Sequence, residues 1–486
     1  MRSVIQAPRA SGVACLLAGS LACASEPAPP PPPPAVTLTV VGGNGQRAET
    51  DGELPVLLRV AAARGGTAVV GQVLQWQVVT GTAVIVAETP TDGQGVATAR
   101  VRLTAAGPVN VRAQLDTARA VFSLTALNPS VAPVLVGEVP IPPQYGIHDT
   151  FVRDGIAFVC AWNTGVVIFD VGNGRKGGSP SNPVEISRLV TNAGDVPGGP
   201  SVHNAWWFHN PVSGEKRYLF IGQEGPTRLI DSSAGDLHVV DVSDLTAPRE
   251  VASLRIPGAG VHNFWMDEAR QILYAAFYNG GVVALDVSGT LSGDLTSRIR
   301  AHVRPGGAGN TFVWGVMLAD GALWANDFTS GLWKLDPITL VTLGGGNNVP
   351  ERWGSDLWVK GQYGYTGTWG GSPRNGSGVG NAVKVWQISG SGPVLVDSLV
   401  IPEIRTVSDV AVTDDGALLV VTAERLAKPG LYVYDLANPA RPVLVGSVVV
   451  ANGLHTGEVA RIGGRTYVFA AKNPSNPSLQ VYDITR

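Results

Sequence analysis

The chain predicts an all-β protein, an N-terminal β-sandwich followed by a seven-bladed β-propeller that a strand from before the first blade closes. Three observations carry this. A short apolar run ending on an acidic residue and a further apolar one recurs seven times between about Leu127 and Arg486, and a repeat of that size in strand-forming residues builds a radial array of small sheets. The segment before it alternates apolar and polar residues in short runs parted by Gly-rich turns, which is sandwich spacing. With 486 residues, 61 Gly, 35 Pro and only 3 Met, the chain is too long for one ordinary core and too poor in helix formers for helical domains.

The first 22 residues read as an export signal. Arg2 and Arg9 flank the start, and Gly12 to Ala22 is apolar or small up to Cys23. That run is too short to span a bilayer. Cys23 after Leu21-Ala22, followed by Ala24-Ser25-Glu26 and the prolines 29 to 34, resembles a bacterial lipoprotein signal, with Ser20 where such signals usually carry Leu. The resemblance implies that Cys23 is lipidated, that the chain is exported and anchored in the cell envelope, and that residues 23–35 form a stiff polyproline spacer off the membrane. Plain secretion, to the periplasm or beyond, is the alternative. The remaining Cys160 lies in the apolar run Ile156 to Ala161 without a partner for a disulfide, and reads as a small core residue.

Residues 36–127 supply the sandwich. Their strands are marked by Val36 to Val40, Val73 to Val78, Val96 to Leu103 and Val109 to Ala113. Together with Gly43-Asn44-Gly45-Gln46 and the turn Asp92-Gly93-Gln94-Gly95, these runs resemble the invasin-type bacterial immunoglobulin-like domains. The resemblance implies a spacer module.

Residues 130–486 hold the repeats: Val166 to Val171, Leu237 to Val242, Val282 to Val287, Leu332 to Asp336, Val383 to Ile388, Leu431 to Leu436 and Leu479 to Ile484. The segments Gly430 to Gly446 and His238 to Pro248 resemble the LVIVD-repeat propellers of exported bacterial proteins, with Gln387 replacing the usual Asp in the fifth unit. Each unit divides into four strands, except that the last stops at Arg486 with three. Pro133 to Val139 copies Pro442 to Val448 and has no unit of its own, so it is expected to supply the missing strand and leave no long exposed edge.

Function must be sought in the residues that break this pattern. A formal charge of −3, without a basic run, excludes nucleic acid as a partner. Four of the seven histidines, His148, His203, His262 and His455, occupy one position at the start of the inner strands. Radial symmetry should gather them at one mouth of the central channel. Neutral imidazoles bind Zn, Cu or Fe, and Asp149, Asn204 and Asn263, each directly after a histidine, could orient neighbouring rings. The bland alternative is duplication of an ancestral blade whose histidine only bonds its neighbour.

Loops between second and third strands should reach the same face, carrying Trp162, Glu224, Tyr278, Asp327, Trp369 and Glu424. Aromatic faces beside fixed polar groups suit a small molecule, a glycan or an envelope protein. Two readings therefore share one face: a binding scaffold, or a metal-dependent enzyme, an oxidoreductase for example, with Glu224 or Glu424 as proton carrier. Ser355 and Ser408 fall in register with the histidines, but neither lies in a Gly-x-Ser-x-Gly elbow. His209, His238 and His302 read as structural.

Overall fold

The computed structural model describes residues 33–141, 146–228, 231–346, 352–370 and 378–486. The expected signal, Cys23 and most of the proline spacer lie outside the described residues. Within them the chain is all β, and the one helical segment is the 3-10 turn Thr296–Arg298.

Two sheets face each other at the N-terminus. One orders Val36–Gly42, Leu58–Arg64, Val96–Leu103 and Ala83–Thr89; the other orders Arg47–Glu49, Ala118–Leu127, Gly107–Leu115 and Gln75–Thr80. Alternation sends Leu58, Val60, Val101, Val109, Val111 and Phe122 into one core, where all six are fully buried. Trp76 packs on its margin, 5.8 Å from Phe122 ring to ring. The turn at Asp92 is locked because its carboxylate accepts the N–H groups of Gln94 and Val96, both at 2.9 Å. Gly95 takes the positive φ of 77° that this turn requires.

The rest of the described chain forms seven sheets built on four antiparallel strands each, the second extended in parallel by Gly293–Asp294, and one two-stranded ribbon of Gly225–Arg228 and Ser232–Ala234. Their inner strands are Asp149–Arg153, Val202–Phe208, Phe264–Asp267, Val313–Ala319, Trp353–Lys360, Thr406–Val412 and Leu454–Ile462. Each packs against the next, and the seventh packs against the first. The seventh sheet takes its outer strand from the front of the chain, because Val134–Pro140 pairs antiparallel with Ser478–Asp483. Apolar clusters fill the spaces between neighbouring sheets, as where Phe220, Leu237 and Val239 meet Phe264, Leu273 and Leu285.

The repeated acidic residue has a physical role. Placed where the third strand ends, its carboxylate accepts the backbone N–H two residues on and fixes the turn that leaves the strand. The bond recurs from Gly172 to Asp170 at 3.0 Å, Ser243 to Asp241 at 3.1 Å, Ser288 to Asp286 at 2.8 Å, Ile338 to Asp336 at 3.0 Å, Ala437 to Asp435 at 2.7 Å and Thr485 to Asp483 at 2.9 Å. In the fifth unit Gln387 instead donates its amide to Ser389 Oγ at 3.2 Å. Among the described residues, Asn128 and Ser130 link the N-terminal sheets to the seven that follow: Asn128 donates through N and Nδ2 to Asp435, and Ser130 donates through N and Oγ to Glu49.

Candidate metal centre at the channel mouth

The four histidines converge, but as an arc and not as a closed ring. Ring centroids run His455 to His148 at 4.1 Å, His148 to His203 at 3.9 Å and His203 to His262 at 4.0 Å. The order follows the four adjoining sheets that carry them. In two of the three remaining sheets Ser355 and Ser408 hold the equivalent positions, and both hydroxyls donate to backbone carbonyls, Ser355 to Val407 at 2.6 Å and Ser408 to Leu454 at 3.2 Å. They tie neighbouring inner strands together and face no histidine as nucleophiles.

Both ends of the arc are pinned. His262 Nδ1 donates to the Trp314 carbonyl at 2.6 Å, which sets the tautomer and leaves Nε2 buried as an acceptor without a partner. At the other end His455 Nδ1 meets Glu424 Oε1, and His455 Nε2 lies 2.7 Å from His148 Nε2. Between them His148 Nδ1 and both ring nitrogens of His203 are buried without a hydrogen-bond partner. Glu224 reaches into the arc, with Oε2 3.5 Å from His148 Nε2 and 3.7 Å from His203 Nε2. Ligand atoms of His148, His203 and Glu224 all lie within 4.8 Å of one another, the one such group among the described residues. The cavity before the rings measures about 50 Å³ and is lined also by Asp149, Asp356 and Asp409.

The electrostatics follow from burial. Desolvation drives His148 and His203 well below the usual imidazole range, helped by the neighbouring rings. It takes His262 to about 3 against the pull of the Trp314 carbonyl. These three are neutral at pH 7. Burial also pulls on His455, but the charge and hydrogen bond of Glu424 outweigh it and raise the imidazole, while His455 in turn lowers Glu424. Burial raises Glu224, partly offset by the hydrogen bond from Tyr278, whose hydroxyl donates to Oε1 at 2.5 Å.

The loop residues divide. Tyr278 is fully buried, stacked on Phe312 and 4.9 Å from His262. Trp162 sets its edge against His148 at 4.7 Å. Both have positive φ, 47° at Trp162 and 39° at Tyr278, because each bends to bridge the start of the next inner strand, Trp162 to Val202 and Tyr278 to Val313. A bulky residue in the left-handed region stores roughly 1–3 kcal/mol of strain, sustained by such surrounding contacts. Trp369 packs on Trp314 at 5.3 Å and approaches His455 at 6.3 Å.

Asp327, expected in the funnel, is not in it. It is fully buried, and its carboxylate accepts from the backbone of Phe312, Thr329 and Ser330, so it is a turn cap. Of the other histidines, His238 pairs with Glu250 at 2.8 Å and His302 donates to the Gly280 carbonyl at 2.6 Å. Cys160 is buried and free, with its thiol pushed well above the usual range by burial.

Sequence reasoning missed Trp314, whose indole roofs His262 at 4.3 Å between ring centroids and whose backbone carbonyl accepts the hydrogen bond from His262 Nδ1. The signal was present: Trp314 follows Val313, which starts the one inner strand that carries neither His nor Ser at the aligned position.

Residues 231–255 and 426–450 match the LVIVD repeat. No curated protein matches the chain. Among solved structures, the β-propeller domain of Myceliophteria thermophila Cps50 (Swd1) is similar at 12% identity and TM-score 0.52, over 73% of this chain and 100% of that one. The WD40 β-propeller domain of Doa1 is similar at 9% identity and TM-score 0.51, over 72% of this chain and 96% of that one. At such identities the likeness is one of fold, and it makes this chain an all-β protein with a β-propeller that carries LVIVD repeats.

Proposed function

We propose that residues 130–486 form a seven-bladed propeller, closed by Val134–Pro140, whose channel mouth binds a transition metal ion of the Zn, Cu or Fe class. One observation carries the reading: buried nitrogens of neutral imidazoles converge with a carboxylate, His148, His203 and Glu224 lying within 4.8 Å of one another, while His262 and His455 flank them with Nδ1 already bonded outward. A carbonyl or carboxylate on the far nitrogen is the usual support of a metal-bound histidine. Duplication of a blade accounts for the register of the four histidines. It does not account for buried nitrogens left without partners, which are costly unless a ligand answers them.

In this reading the propeller is a binding module displayed from the cell envelope. Cys23 carries the lipid that attaches it to the membrane, the prolines hold it off the bilayer, and residues 36–127 act as an immunoglobulin-like spacer. An envelope protein, glycan or small molecule would be met at the same mouth. Catalysis by the metal is the second reading, supported by Glu224, which is buried, raised in pKa and in contact with the Tyr278 hydroxyl.

Elemental mass spectrometry of the purified protein tests the proposal. Near-stoichiometric metal is expected in the parent and none in the variant with all four histidines changed to Ala, and Glu224→Gln should weaken affinity by about 10- to 100-fold. A parent that stays metal-free after incubation with Zn, Cu and Fe salts would refute it. Lipidation is tested apart, by detergent partitioning of the exported chain, which Cys23→Ser should abolish.

A further inference from the structure

Beyond the histidines, the register of the inner strands continues along the channel. One residue on stand Asp149, Asn204, Asn263, Asp356, Asp409 and Thr456; three residues on stand Phe151, Trp206, Trp265, Trp358, Ala411 and Glu458. Because all the inner strands run the same way from the histidine mouth, the second set rings the opposite mouth. Between the histidine layer and this second set the structure has a cavity of about 170 Å³, which shares Asp149, Asn263, Asp356 and Asp409 with the cavity before the histidines.

Its lining is unusual in two respects. The carboxyl groups of Asp149, Asp356, Asp409 and Glu458 all border it, and no Lys, Arg or His does. The rim is aromatic, with Phe151 5.1 Å from Trp206, Trp206 5.2 Å from Trp265 and Trp265 6.2 Å from Trp358, the two Trp pairs edge to face. Arg153, the nearest cation of the first inner strand, is held in a two-point pair by Glu268. Thr150 Oγ1 also lacks a partner, although Thr150 is 2% exposed and borders the cavity.

Four acids bordering one cavity that no Lys or Arg lines favour a cation there. An inorganic ion needs only the oxygens, and the indoles would then be idle. A collar of three tryptophans over carboxylates is the chemistry that holds an alkylated ammonium group, whose spread charge sits on π faces and whose methyl groups bury against them. The volume, below the roughly 300 Å³ at which drug-sized pockets begin, fits such a headgroup. We propose that the mouth opposite the histidines is a binding site for a small quaternary or methylated ammonium ion, seated on Trp206, Trp265 and Trp358 with Glu458 at its edge and Asp356 and Asp409 beneath.

Isothermal titration calorimetry of the full chain with tetramethylammonium and choline chlorides tests it, beside the uncharged isostere 3,3-dimethylbutan-1-ol and the chlorides of potassium and calcium. Saturable binding of the ammonium ions is expected, with quenching of tryptophan emission and at least about tenfold preference over the isostere. Trp265→Leu and Trp358→Leu should each weaken binding about tenfold, and so should Glu458→Gln. Trp265→Phe, which keeps a π face and guards against misfolding, should weaken it less. Binding should survive the change of all four histidines to Ala, so failure of the metal reading leaves it standing. Equal affinity for the isostere, uptake of calcium or potassium alone, or no saturable binding by a folded chain would each overturn it.

Discussion

Asp170 shows how much one repeated residue does. Its carboxylate accepts five backbone N–H groups, from Gly172, Asn173, Gly174, Lys176 and Gly178. Burial alone would raise its pKa; these bonds outweigh that and bring it to about 2, from an ordinary 3.8. A depressed folded value means that its contribution is complete above about pH 4 and fades as pH falls through 2, because between those values the unfolded chain binds the proton first. Since the turn lies at the protein surface, where solvent screens the gain, Asp170→Asn should destabilise by about 1–2 kcal/mol at pH 7. The variant should also unfold with a flatter pH dependence between pH 4 and 2. Urea denaturation at a series of pH values measures both, and an unchanged midpoint at pH 7 would deny the carboxylate its role.

At the scale of elements, the seventh sheet has the least secure assembly, since its outer strand arrives from residues more than three hundred positions earlier in the chain. Val136 and Val139 on that strand pack against the core that holds Phe469, Leu479 and Val481. A chain beginning after Pro140 would expose this core and the free edge of Ser478–Asp483. It should lose cooperative thermal unfolding, while one beginning at Ser130 should keep it; equal melting of the two would contradict closure by this strand. Gly446, in the aligned strand of the sixth sheet, is a close-approach point, because a Cβ there would stand 1.9 Å from the Val131 carbonyl oxygen. Gly446→Ala should therefore cost about 1–3 kcal/mol through backbone displacement, measurable as a lowered midpoint.

The whole molecule joins two bodies with separate cores. The residues packed around Phe122 in the N-terminal sheets belong to no cluster of the sheets that follow, and the bonds at Asn128 and Ser130 are few among the described residues. Interfaces this slight leave domains independent. Calorimetry should resolve two transitions, and removal of residues up to 127 should leave the propeller's melting temperature within a few degrees. A single transition lost on truncation would show the two to be one cooperative unit. On the same scale, zinc or copper loading should raise only the upper or the lower of these transitions, whichever belongs to the propeller, by mass action.

Much of this was legible in the order of residues, for a physical reason. Strand alternation, the turn-starting aspartate and the copy of Pro442 to Val448 at Pro133 to Val139 are local patterns, and local patterns set strands, turns and their register. The histidine register was legible in the same way, and so, on counting three residues further, was the tryptophan collar. What a local pattern does not contain is where equivalent positions stand around the channel. Packing between sheets decided that His455 and His148, 307 residues apart, would meet Nε2 to Nε2. It also decided that the histidines form an arc pinned by Glu424 and the Trp314 carbonyl, that Glu224 enters it, and that Asp327 turns inward to cap its own loop. Chain order determined which residues share a layer; only the closing of sheet against sheet decided which atoms in that layer touch.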